Sequence, residues 1–395
     1  MIISRKMVGL ESFKTEPLKV KSVLDPTALW FFAPEMNNNP YQRLLYSFFA
    51  DQKIQTQGFR KIDDAVAAAI AAPTTVPRVL HLHWLNVVLA GATSDERAIQ
   101  RIEHFEQQLQ AAKAAGVKIV WTSHNVLPHE SFAQEFAIRI RKAMVESADL
   151  IHVMSPDTVE QCAPFFDIDP RKVVRGEHAG YHGFYQMPND NKDLRGRWGL
   201  PQGGQLGLIL GGIKPYKGLN EFSEYFINAT ANNPRRLTLV IAGKAARDFN
   251  DSQLCKLAEI SPNLHVIPKL ITDEQVASLM MMADFAAIPY RNSLNSGSLV
   301  LGLTFGKPIL ARASAGSTHL LEDGAGVIYD DDAQLADLLS DTSWIERTAP
   351  AAAEMSRRLD HTTVATAYAR MARTFVDHGT EAAQSIIGNN GGLAL

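Results

Sequence analysis

A loop that contains glycines and lysines follows an apolar run in the second half of the chain. The loop is Gly211–Gly218, and the apolar run is Leu206–Leu210. In α/β proteins, phosphate groups bind where a parallel strand ends and the next helix begins. Glycines let the backbone approach such a ligand closely, and lysines bring positive charge to it. We therefore predict a diphosphate site that includes Gly212, Lys214 and Lys217.

A second loop further along the chain repeats this arrangement. The predicted strand Phe285–Pro289 leads through a polar loop into the predicted helix Ser298–Phe305. Amides at the start of a helix bind anions, and the Asn295 side chain can hydrogen-bond a sugar or a phosphate. The binding candidates in this loop are Asn295, Ser296, Gly297 and Ser298. The alternative interpretation of the first loop is a tight turn whose lysines are solvated.

Length and composition indicate a globular protein with more than one domain. The chain has 395 residues, of which 46% are hydrophobic and 21% are charged, and this length is sufficient for two cores. The formal net charge of −3 gives no reason to expect a nucleic-acid partner. Two cysteines, Cys162 and Cys255, argue against a disulfide framework and fit a reducing cytoplasm. No apolar run is long enough to span a membrane, so we expect a cytoplasmic protein or one attached to a membrane surface.

Strands and helices alternate along the chain, which predicts an α/β fold with parallel sheets. The strands predicted in the first half are Ala28–Ala33, Val79–His83, Val117–Ser123, Leu150–Met154 and Lys172–Arg175. Those predicted in the second half are Leu206–Leu210, Leu237–Ala242, Leu264–Ile267, Phe285–Pro289, Pro308–Ala311 and Gly326–Tyr329. The clearest helix is Ala98–Ala115, which ends at a glycine.

This pattern predicts two domains and a tail. The amino-terminal domain covers residues 1–190, the nucleotide-binding domain residues 205–360, and a helical tail residues 361–395. The polar, glycine-rich segment 187–205 is predicted to be a linker between the domains.

Two segments have a functional and a structural interpretation. The apolar positions in residues 41–49 fall on one helix face, which suits either a membrane-dipping helix or core packing, and packing is favoured. The run Asp330–Asp332 is similar to an acidic metal-binding motif. Because it precedes an apolar helix pattern, helix capping is favoured, and we predict that no residue of the chain binds a metal.

Several motifs lie in a consistent order between about residue 35 and residue 310 and together resemble one family. They are Asn39-Pro40-Tyr41, Val79-Leu80-His81-Leu82-His83-Trp84, the block Ser123–Glu130, His178 with Tyr181, Ile213–Gly218, Asn295-Ser296-Gly297 and Lys307-Pro308-Ile309-Leu310. The chain resembles the xanthan-type β-mannosyltransferases and their relatives in bacterial exopolysaccharide assembly. The resemblance implies the GT-B fold, in which two Rossmann-like parallel-sheet domains face each other across a cleft. It also implies that the tail returns to the amino-terminal domain.

One departure from the wider GT-B group bears on the mechanism. Retaining members of that group carry two glutamates eight positions apart, and the corresponding positions here are Ser293 and Leu301. Neither residue is acidic. The absence agrees with the inverting mechanism that the xanthan-type resemblance implies.

An inverting transfer needs a general base for the hydroxyl that attacks the sugar. The candidates are His124 and Glu130, which follow the predicted strand Val117–Ser123 at the sheet edge where ligands bind. Glu130 is preferred by a narrow margin, and its alternative interpretation is an exposed residue at the start of a helix. His124 could instead bind hydroxyls or phosphate of the donor, or be a buried loop histidine bonded to the backbone.

Two further loops are assigned to the acceptor. The loop after the first strand is rich in amide groups that suit a sugar, and an indole ring at the end of another strand offers a face for a pyranose. An ordinary turn and core packing are the respective alternatives. The candidate acceptor-binding residues are Glu35, Asn37, Asn38, Asn39, His83 and Trp84.

The resemblance implies transfer of mannose from GDP-mannose, with a β linkage, to a lipid-linked oligosaccharide. It implies no metal and no other cofactor, and a protein in the cytoplasm or on the inner face of the plasma membrane. UDP-glucose and UDP-glucuronate are alternative donors. A GT-B nucleotide-sugar epimerase and a non-catalytic nucleotide-sugar binding protein are alternative functions.

Overall fold

A computed structural model describes residues 22–36, 39–128, 134–185, 192–247 and 249–386. The chain divides into two compact units. The amino-terminal unit contains the described residues up to Ala179 together with those from His361 onward, and the carboxyl-terminal unit contains those in Gly180–Asp360.

The amino-terminal unit is built on a sheet of six parallel strands in the order β2-β1-β3-β4-β5-β6. The strands are β1 (Ala28–Ala33), β2 (Ile54–Gly58), β3 (Arg78–Leu82), β4 (Lys118–Thr122), β5 (Leu150–Val153) and β6 (Val173–Arg175). Side chains of β1, β3, β4 and β5 are almost all buried, because helices cover both faces of the sheet. This burial explains why the strands read as apolar runs in the sequence.

Helices on both faces complete this unit. They are α1 (Tyr41–Leu45), α2 (Ile62–Ala71), α3 (Asp95–Ala114), α4 (Gln134–Ser147), α5 (Thr158–Cys162), α13 (His361–His378) and α14 (Thr380–Gln384). Phe105 of α3 packs in the core on one face, and Tyr368 and Phe375 of α13 pack in the core on the other. Lys118 of β4 donates hydrogen bonds of 3.0 Å to the carbonyl oxygens of Phe375 and Val376, which fixes α13 against the sheet.

The apolar stripe of residues 41–49 belongs to this second core. Tyr41, Leu44, Leu45 and Phe49 are buried, and Phe49 contacts both Trp30 and Tyr368. The stripe therefore packs against the sheet and α13 and is not presented to a membrane.

The carboxyl-terminal unit has a second sheet of six parallel strands in the order β12-β11-β10-β7-β8-β9. The strands are β7 (Gln205–Leu210), β8 (Leu237–Ala242), β9 (Leu264–Ile267), β10 (Phe285–Ile288), β11 (Ile309–Arg312) and β12 (Gly326–Tyr329). The helices are α6 (Leu194–Arg197), α7 (Leu219–Thr230), α8 (Ser252–Ile260), α9 (Asp273–Met282), α10 (Gly297–Thr304), α11 (Asp332–Ser340) and α12 (Trp344–Arg358). The predicted α/β fold with parallel sheets is confirmed.

The prediction of a linker is wrong for residues 192–205. Trp198 is buried and donates a hydrogen bond of 3.1 Å to Ser278 in α9. Arg195 pairs with Asp284 at 2.9 Å, in front of β10. The segment therefore contains a short helix that packs on the carboxyl-terminal unit. Its polar residues lie on the outer side of that helix.

The acidic run at residues 330–332 caps a helix. The Asp331 side chain accepts a hydrogen bond of 2.9 Å from the backbone of Gln334 at the start of α11. Within the described ranges, no group of three or more histidine, cysteine or acidic side chains is arranged to hold a metal ion. No described helix combines the length and the apolar character needed to cross a bilayer.

Candidate functional site

The two loops predicted to bind phosphate start from neighbouring strands of the carboxyl-terminal sheet. The chain runs from β7 outward through β8 and β9, and then returns to β10 on the other side of β7. The carboxyl ends of β7 and β10 therefore form the point where the strand order reverses, which is where open α/β sheets bind ligands. Gly211–Gly218 follows β7, and residues 289–296 follow β10.

The two loops contact each other directly. The backbone of Arg291 donates a hydrogen bond of 3.0 Å to the carbonyl oxygen of Tyr216. The Ser298 hydroxyl donates to the carbonyl oxygen of Leu210 at 3.1 Å. A Cβ atom at Gly218, which has a φ of +63°, would lie 3.2 Å from the carbonyl oxygen of Pro289. Glycine is therefore required here by both its φ and the close approach of the two loops.

Lys217 is the cation at the centre of this pair of loops. The residue is only 4% exposed, and its Nζ atom lies 4.7 Å from the centre of the Tyr290 ring. A Cβ atom at Gly211 would lie 3.1 Å from the same Nζ atom and 3.4 Å from the Ser298 hydroxyl. Burial lowers the pKa of Lys217 to about 8, Tyr216 opposes this shift, and Lys214 adds to it. Within the described part of the chain, no ion pair joins Lys217 to a carboxylate, and a buried cation of this kind suits an anionic ligand.

Tyr290 is a candidate site residue that was not predicted from the sequence. It packs edge-on against Tyr216, with 5.7 Å between ring centres. Its hydroxyl is buried beside the Ser298 side chain. Burial raises the pKa of this phenol, so the hydroxyl stays protonated. The only sequence signal for it was its place at the end of a predicted strand.

The helix α10 begins at this site. Ser296 is the residue before its first turn, and its hydroxyl accepts a hydrogen bond of 3.2 Å from the backbone of Leu299. The backbone of Ser296 donates to the Ser317 hydroxyl at 3.0 Å. The helix start is therefore held in place from two sides, with its amides at the edge of the sheet where β7 ends.

The remaining donor candidates surround these groups. Gly212 is exposed, Lys214 is partly exposed, and Asn295 is half-buried. Gly297 and Ser298 form the first turn of α10. The structure thus brings together all the donor-binding candidates from the two loops.

The amino-terminal sheet has a corresponding reversal point between β1 and β3. From β1 the chain passes to β2 at the edge, and from β3 it passes to β4 on the other side. The loop that begins at Pro34 follows β1, while His83 and Trp84 follow β3. His124 follows the adjacent strand β4. The candidates for acceptor binding and for the base therefore lie at one edge of one sheet.

The candidate acceptor-binding residues differ in their exposure and in the contacts that they already make. Glu35 is exposed, and Asn39 accepts a hydrogen bond of 3.0 Å from the backbone of Tyr41 at the start of α1. Trp84 is half-buried and stacks on the His124 ring, with 4.2 Å between the ring centres. Asn37, Asn38 and Glu130 lie outside the described residues.

The prediction that His83 contacts the acceptor directly does not fit its position in the structure. It is 1% exposed, and its Nε2 atom lies 2.7 Å from the Tyr46 hydroxyl. Its Nδ1 atom lies 3.1 Å from Nε2 of His124. Both ring nitrogens are therefore engaged inside the protein, and His83 supports His124.

A continuous series of hydrogen bonds extends from His83 across the sheet. The Tyr46 hydroxyl lies 2.7 Å from Nδ1 of His81, and Nε2 of His81 lies 2.7 Å from the Thr122 hydroxyl. That hydroxyl lies 3.1 Å from Nδ1 of His152, whose Nε2 atom lies 3.1 Å from the carbonyl oxygen of Gly176. This series was not predicted from the sequence. Its signal was the presence of histidines at positions 81 and 152 inside apolar strands.

Burial keeps these histidines neutral. It is the largest cause that lowers the pKa values of His81, His83 and His124 well below the usual range for histidine, and the neighbouring histidines add to it. Burial also lowers the pKa of His152 to about 4, although the bond to the Gly176 carbonyl opposes the shift. Neutral imidazoles can each donate one hydrogen bond and accept one.

Comparison with known proteins identifies the class of this enzyme. Residues 190–358 match the family model of glycosyl transferases group 1. The chain is a glycosyltransferase. The matched segment contains both of the loops predicted to bind the donor. The nucleotide-sugar-dependent glycosyltransferase activity expected from the sequence is confirmed.

A relative from Xanthomonas campestris is similar to this glycosyltransferase over most of its length. The GDP-mannose:glycolipid 4-beta-D-mannosyltransferase of Xanthomonas campestris pv. campestris is 25% identical over 305 residues, which cover 75% of this chain and 76% of the relative. The expected similarity to the xanthan-type enzymes is confirmed.

Solved structures establish the fold. Anabaena Alr3699/HepE, in complex with UDP and glucose, has a TM-score of 0.63 at 17% identity and covers 88% of this chain and 99% of its own. Sucrose-phosphate synthase from Thermosynechococcus elongatus has the same TM-score at 13% identity and covers 88% and 98%. The GT-B fold is confirmed, with one Rossmann-like sheet in each unit.

Proposed function

We propose that this glycosyltransferase transfers mannose from GDP-mannose to a lipid-linked oligosaccharide, with inversion at the sugar carbon and formation of a β linkage. The observation that carries the proposal is Lys217, a buried cation at the reversal point of the carboxyl-terminal sheet, beside a glycine loop and a helix start. This arrangement suits a diphosphate. The name of the Xanthomonas relative supports GDP-mannose as the donor and a glycolipid as the acceptor.

Inversion is supported by the side chains at two positions of the donor site. Ser293 is buried, and its hydroxyl donates to the carbonyl oxygen of Asn295 at 2.8 Å. Leu301 is buried in α10. Neither can supply the carboxylate that retaining GT-B enzymes carry there, so a single displacement fits the site.

In that displacement, the acceptor hydroxyl loses its proton to a base as its oxygen bonds to the anomeric carbon. The bond from this carbon to the diphosphate oxygen breaks, and the nucleotide diphosphate leaves with the electron pair. The amino-terminal unit offers His124 and Glu130 as bases. Burial keeps His124 neutral, and a neutral imidazole has one unprotonated nitrogen.

The leaving diphosphate gains negative charge and needs compensation. Lys217, Lys214 and the amides at the start of α10 supply it in this proposal, and no metal takes part. The acceptor sugar binds at the edge that carries Glu35, Asn39 and Trp84. The lipid part of the acceptor remains in the membrane, and the enzyme works at its inner face.

The experiment that tests the donor is calorimetric titration of the purified protein with GDP and with UDP, without divalent ions and in the presence of a chelator. We expect binding of GDP at least tenfold tighter than that of UDP, a difference of about 1.4 kcal/mol. A preference for UDP would move the donor to UDP-glucose or UDP-glucuronate. Binding that needs a divalent ion would contradict compensation by lysines alone.

A second experiment tests the reaction. Release of GDP from GDP-mannose is measured with and without a lipid-linked acceptor extracted from the membrane, for the wild type and for E130Q and H124N. Release that depends on the acceptor supports transfer, whereas conversion of the donor without acceptor would indicate an epimerase. The variant that loses transfer while keeping its GDP affinity identifies the base.

A further inference from the structure

The series of hydrogen bonds in the amino-terminal unit has a fixed end at Gly176. A carbonyl oxygen only accepts hydrogen bonds, so Nε2 of His152 carries the proton in the 3.1 Å contact with it. His152 is neutral, so its Nδ1 atom carries none. The Thr122 hydroxyl, 3.1 Å from this atom, must therefore donate to it.

The next two contacts follow from counting protons. The Thr122 hydroxyl has used its proton on His152, so it accepts from Nε2 of His81, 2.7 Å away. The Nδ1 atom of the neutral His81 is then unprotonated, and it receives the Tyr46 hydroxyl at 2.7 Å and the Trp30 indole N–H at 3.3 Å.

Tyr46 and His83 connect the series to His124. Tyr46 has used its proton on His81, so its oxygen accepts from Nε2 of His83 at 2.7 Å. The Nδ1 atom of His83 is then unprotonated and accepts from Nε2 of His124 at 3.1 Å. Every donor and acceptor in the series is assigned in one direction, from His124 to the Gly176 carbonyl.

We propose that this series fixes His124 as the tautomer protonated on Nε2, so that Nδ1 is its only basic nitrogen and accepts the proton of a substrate hydroxyl. The assignment of the tautomer stands on the geometry alone, while the contact with a substrate hydroxyl rests on the proposed function. Neutral His124 in this tautomer cannot donate to a phosphate oxygen, because its one proton is directed to His83. The proposal therefore separates the two roles open to His124.

The residues behind His124 act as positioning residues. Both ring nitrogens of His81, His83 and His152 have partners within the protein, so a reversal of any one tautomer would place two acceptors or two donors in contact. An unsatisfied buried donor or acceptor costs about 1–3 kcal/mol. Because the Gly176 carbonyl fixes one end, it fixes the direction of the whole series.

The test uses the full chain with ¹⁵N-labelled histidine and long-range ¹H–¹⁵N correlation spectra, which show which ring nitrogen carries the proton. In the wild type, we expect His124, His83, His81 and His152 all to be protonated on Nε2. The variant Y46F removes the central hydroxyl, so we expect a measurable share of His124 protonated on Nδ1.

The matched control is Y368F. Tyr368 is as deeply buried as Tyr46 and lies in the same core, with its ring centre 4.7 Å from that of His152, but it is not one of the residues that connect His124 to Gly176. We expect the His124 spectrum of Y368F to match that of the wild type. Should Y46F fail to fold, T122V breaks the series at a different point with a side chain of similar shape.

Two results would overturn the assignment of the tautomer. One is a wild-type His124 protonated on Nδ1, and the other is a folded Y46F and a folded T122V whose His124 spectra are unchanged. Neither result depends on enzymatic activity, so each is distinct from a failure of the proposed function.

The contact with a substrate hydroxyl has its own readout. In Y46F, we expect kcat for transfer to fall by up to about fivefold, the equivalent of one net hydrogen bond, with KM for the nucleotide sugar unchanged. A shifted tautomer with unchanged kcat would overturn the role of Nδ1 toward the hydroxyl. A rise in KM for the nucleotide sugar would also count against it, because it would indicate a donor contact.

Discussion

Replacement of Lys217 by methionine should stabilise the protein and weaken its binding of nucleotide. Lys217 is 4% exposed, and burial lowers its pKa from 10.5 to about 8. A shift of this size corresponds to about 3 kcal/mol against the charged form in the folded protein. Methionine has a similar length and no charge, so K217M should be more stable than the wild type by about 1–3 kcal/mol at pH 7.

The pH dependence of this effect has a definite sign. Because the pKa of Lys217 is lower in the folded state, the unfolded state binds more protons between pH 8 and 10.5, the two pKa values concerned. The destabilisation that Lys217 causes in the wild type is therefore relieved as the pH rises through that window, and the free energy of unfolding increases. The difference in melting temperature between K217M and the wild type should be largest at pH 7 and should shrink toward pH 10.

Binding of GDP should also depend on the protonation of Lys217. A bound diphosphate raises the pKa of Lys217, so binding takes up a proton wherever the free protein has lost one. Unliganded Lys217 is protonated to about nine-tenths at pH 7 and to about one-quarter at pH 8.5. Proton uptake should therefore rise from about 0.1 to about 0.7 per GDP bound, and affinity should fall about tenfold between pH 7 and pH 9.

Calorimetry in buffers of different ionisation enthalpy measures this uptake, and the difference between variants removes the contribution of GDP itself. K217M should bind GDP weakly and show no uptake beyond that of the nucleotide. K214M is the matched control, because it removes a neighbouring charge and leaves Lys217 in place. It should lose affinity but keep the uptake, displaced to somewhat higher pH because Lys214 lowers the pKa of Lys217. A K217M protein that is less stable than the wild type, or that keeps the proton uptake, would refute the reasoning.

Two further substitutions test the geometry of the donor site. In G211A, the new Cβ atom would lie 3.1 Å from Nζ of Lys217 on a backbone with a φ of +116°, so we expect GDP affinity to fall by at least tenfold. G203A, where a Cβ atom would meet nothing within 4 Å, should bind GDP as the wild type does, and equal affinities in the two variants would contradict this expectation. In S296A, loss of the cap of α10 should lower the free energy of unfolding by about 1 kcal/mol and weaken GDP binding by a smaller factor than K217M does. Denaturant titration measures the first effect and calorimetry the second. An unchanged free energy of unfolding would show that the cap contributes nothing.

The sequence was sufficient to predict most of the carboxyl-terminal unit. Strands such as β8 and β9 are buried on both faces and read as continuous apolar runs, and they lie where they were predicted. The two loops that we predicted to bind the donor lie at the carboxyl ends of β7 and β10, as the predicted strands require. The deep burial of Lys217 was not, because it depends on Tyr290 from a distant loop.

The strand β2 shows what local pattern misses. Its sequence Ile54-Gln55-Thr56-Gln57-Gly58 contains one large apolar residue, because it forms the edge of the sheet and buries only Ile54 and Thr56. An edge strand of this kind has no run of apolar residues to identify it. Its position next to β1 arises from backbone pairing, which side-chain composition does not record.

The series from His124 to Gly176 shows a second limit. Histidines within the apolar strands β3 and β5 could be read as unusual from the sequence, since a buried polar group needs a partner. The order in which they connect could not, because Tyr46 reaches the series from outside the sheet and Thr122 joins it only through the register of β4 beside β5. Tautomers follow from that order and not from the residue types.

The two units place different chemistry at equivalent points of their sheets. At the reversal point of the carboxyl-terminal sheet, the groups are a buried cation and a helix start, which suit a charged ligand. At that of the amino-terminal sheet, they are neutral imidazoles and hydroxyls, and no lysine or arginine belongs to the series. A neutral site of this kind can accept hydrogen bonds from sugar hydroxyls. It offers no positive charge to compensate the negative charge of a diphosphate. The distribution of charge therefore supports the proposed placement of the nucleotide in the carboxyl-terminal unit and of the hydroxyl-bearing substrate in the amino-terminal one.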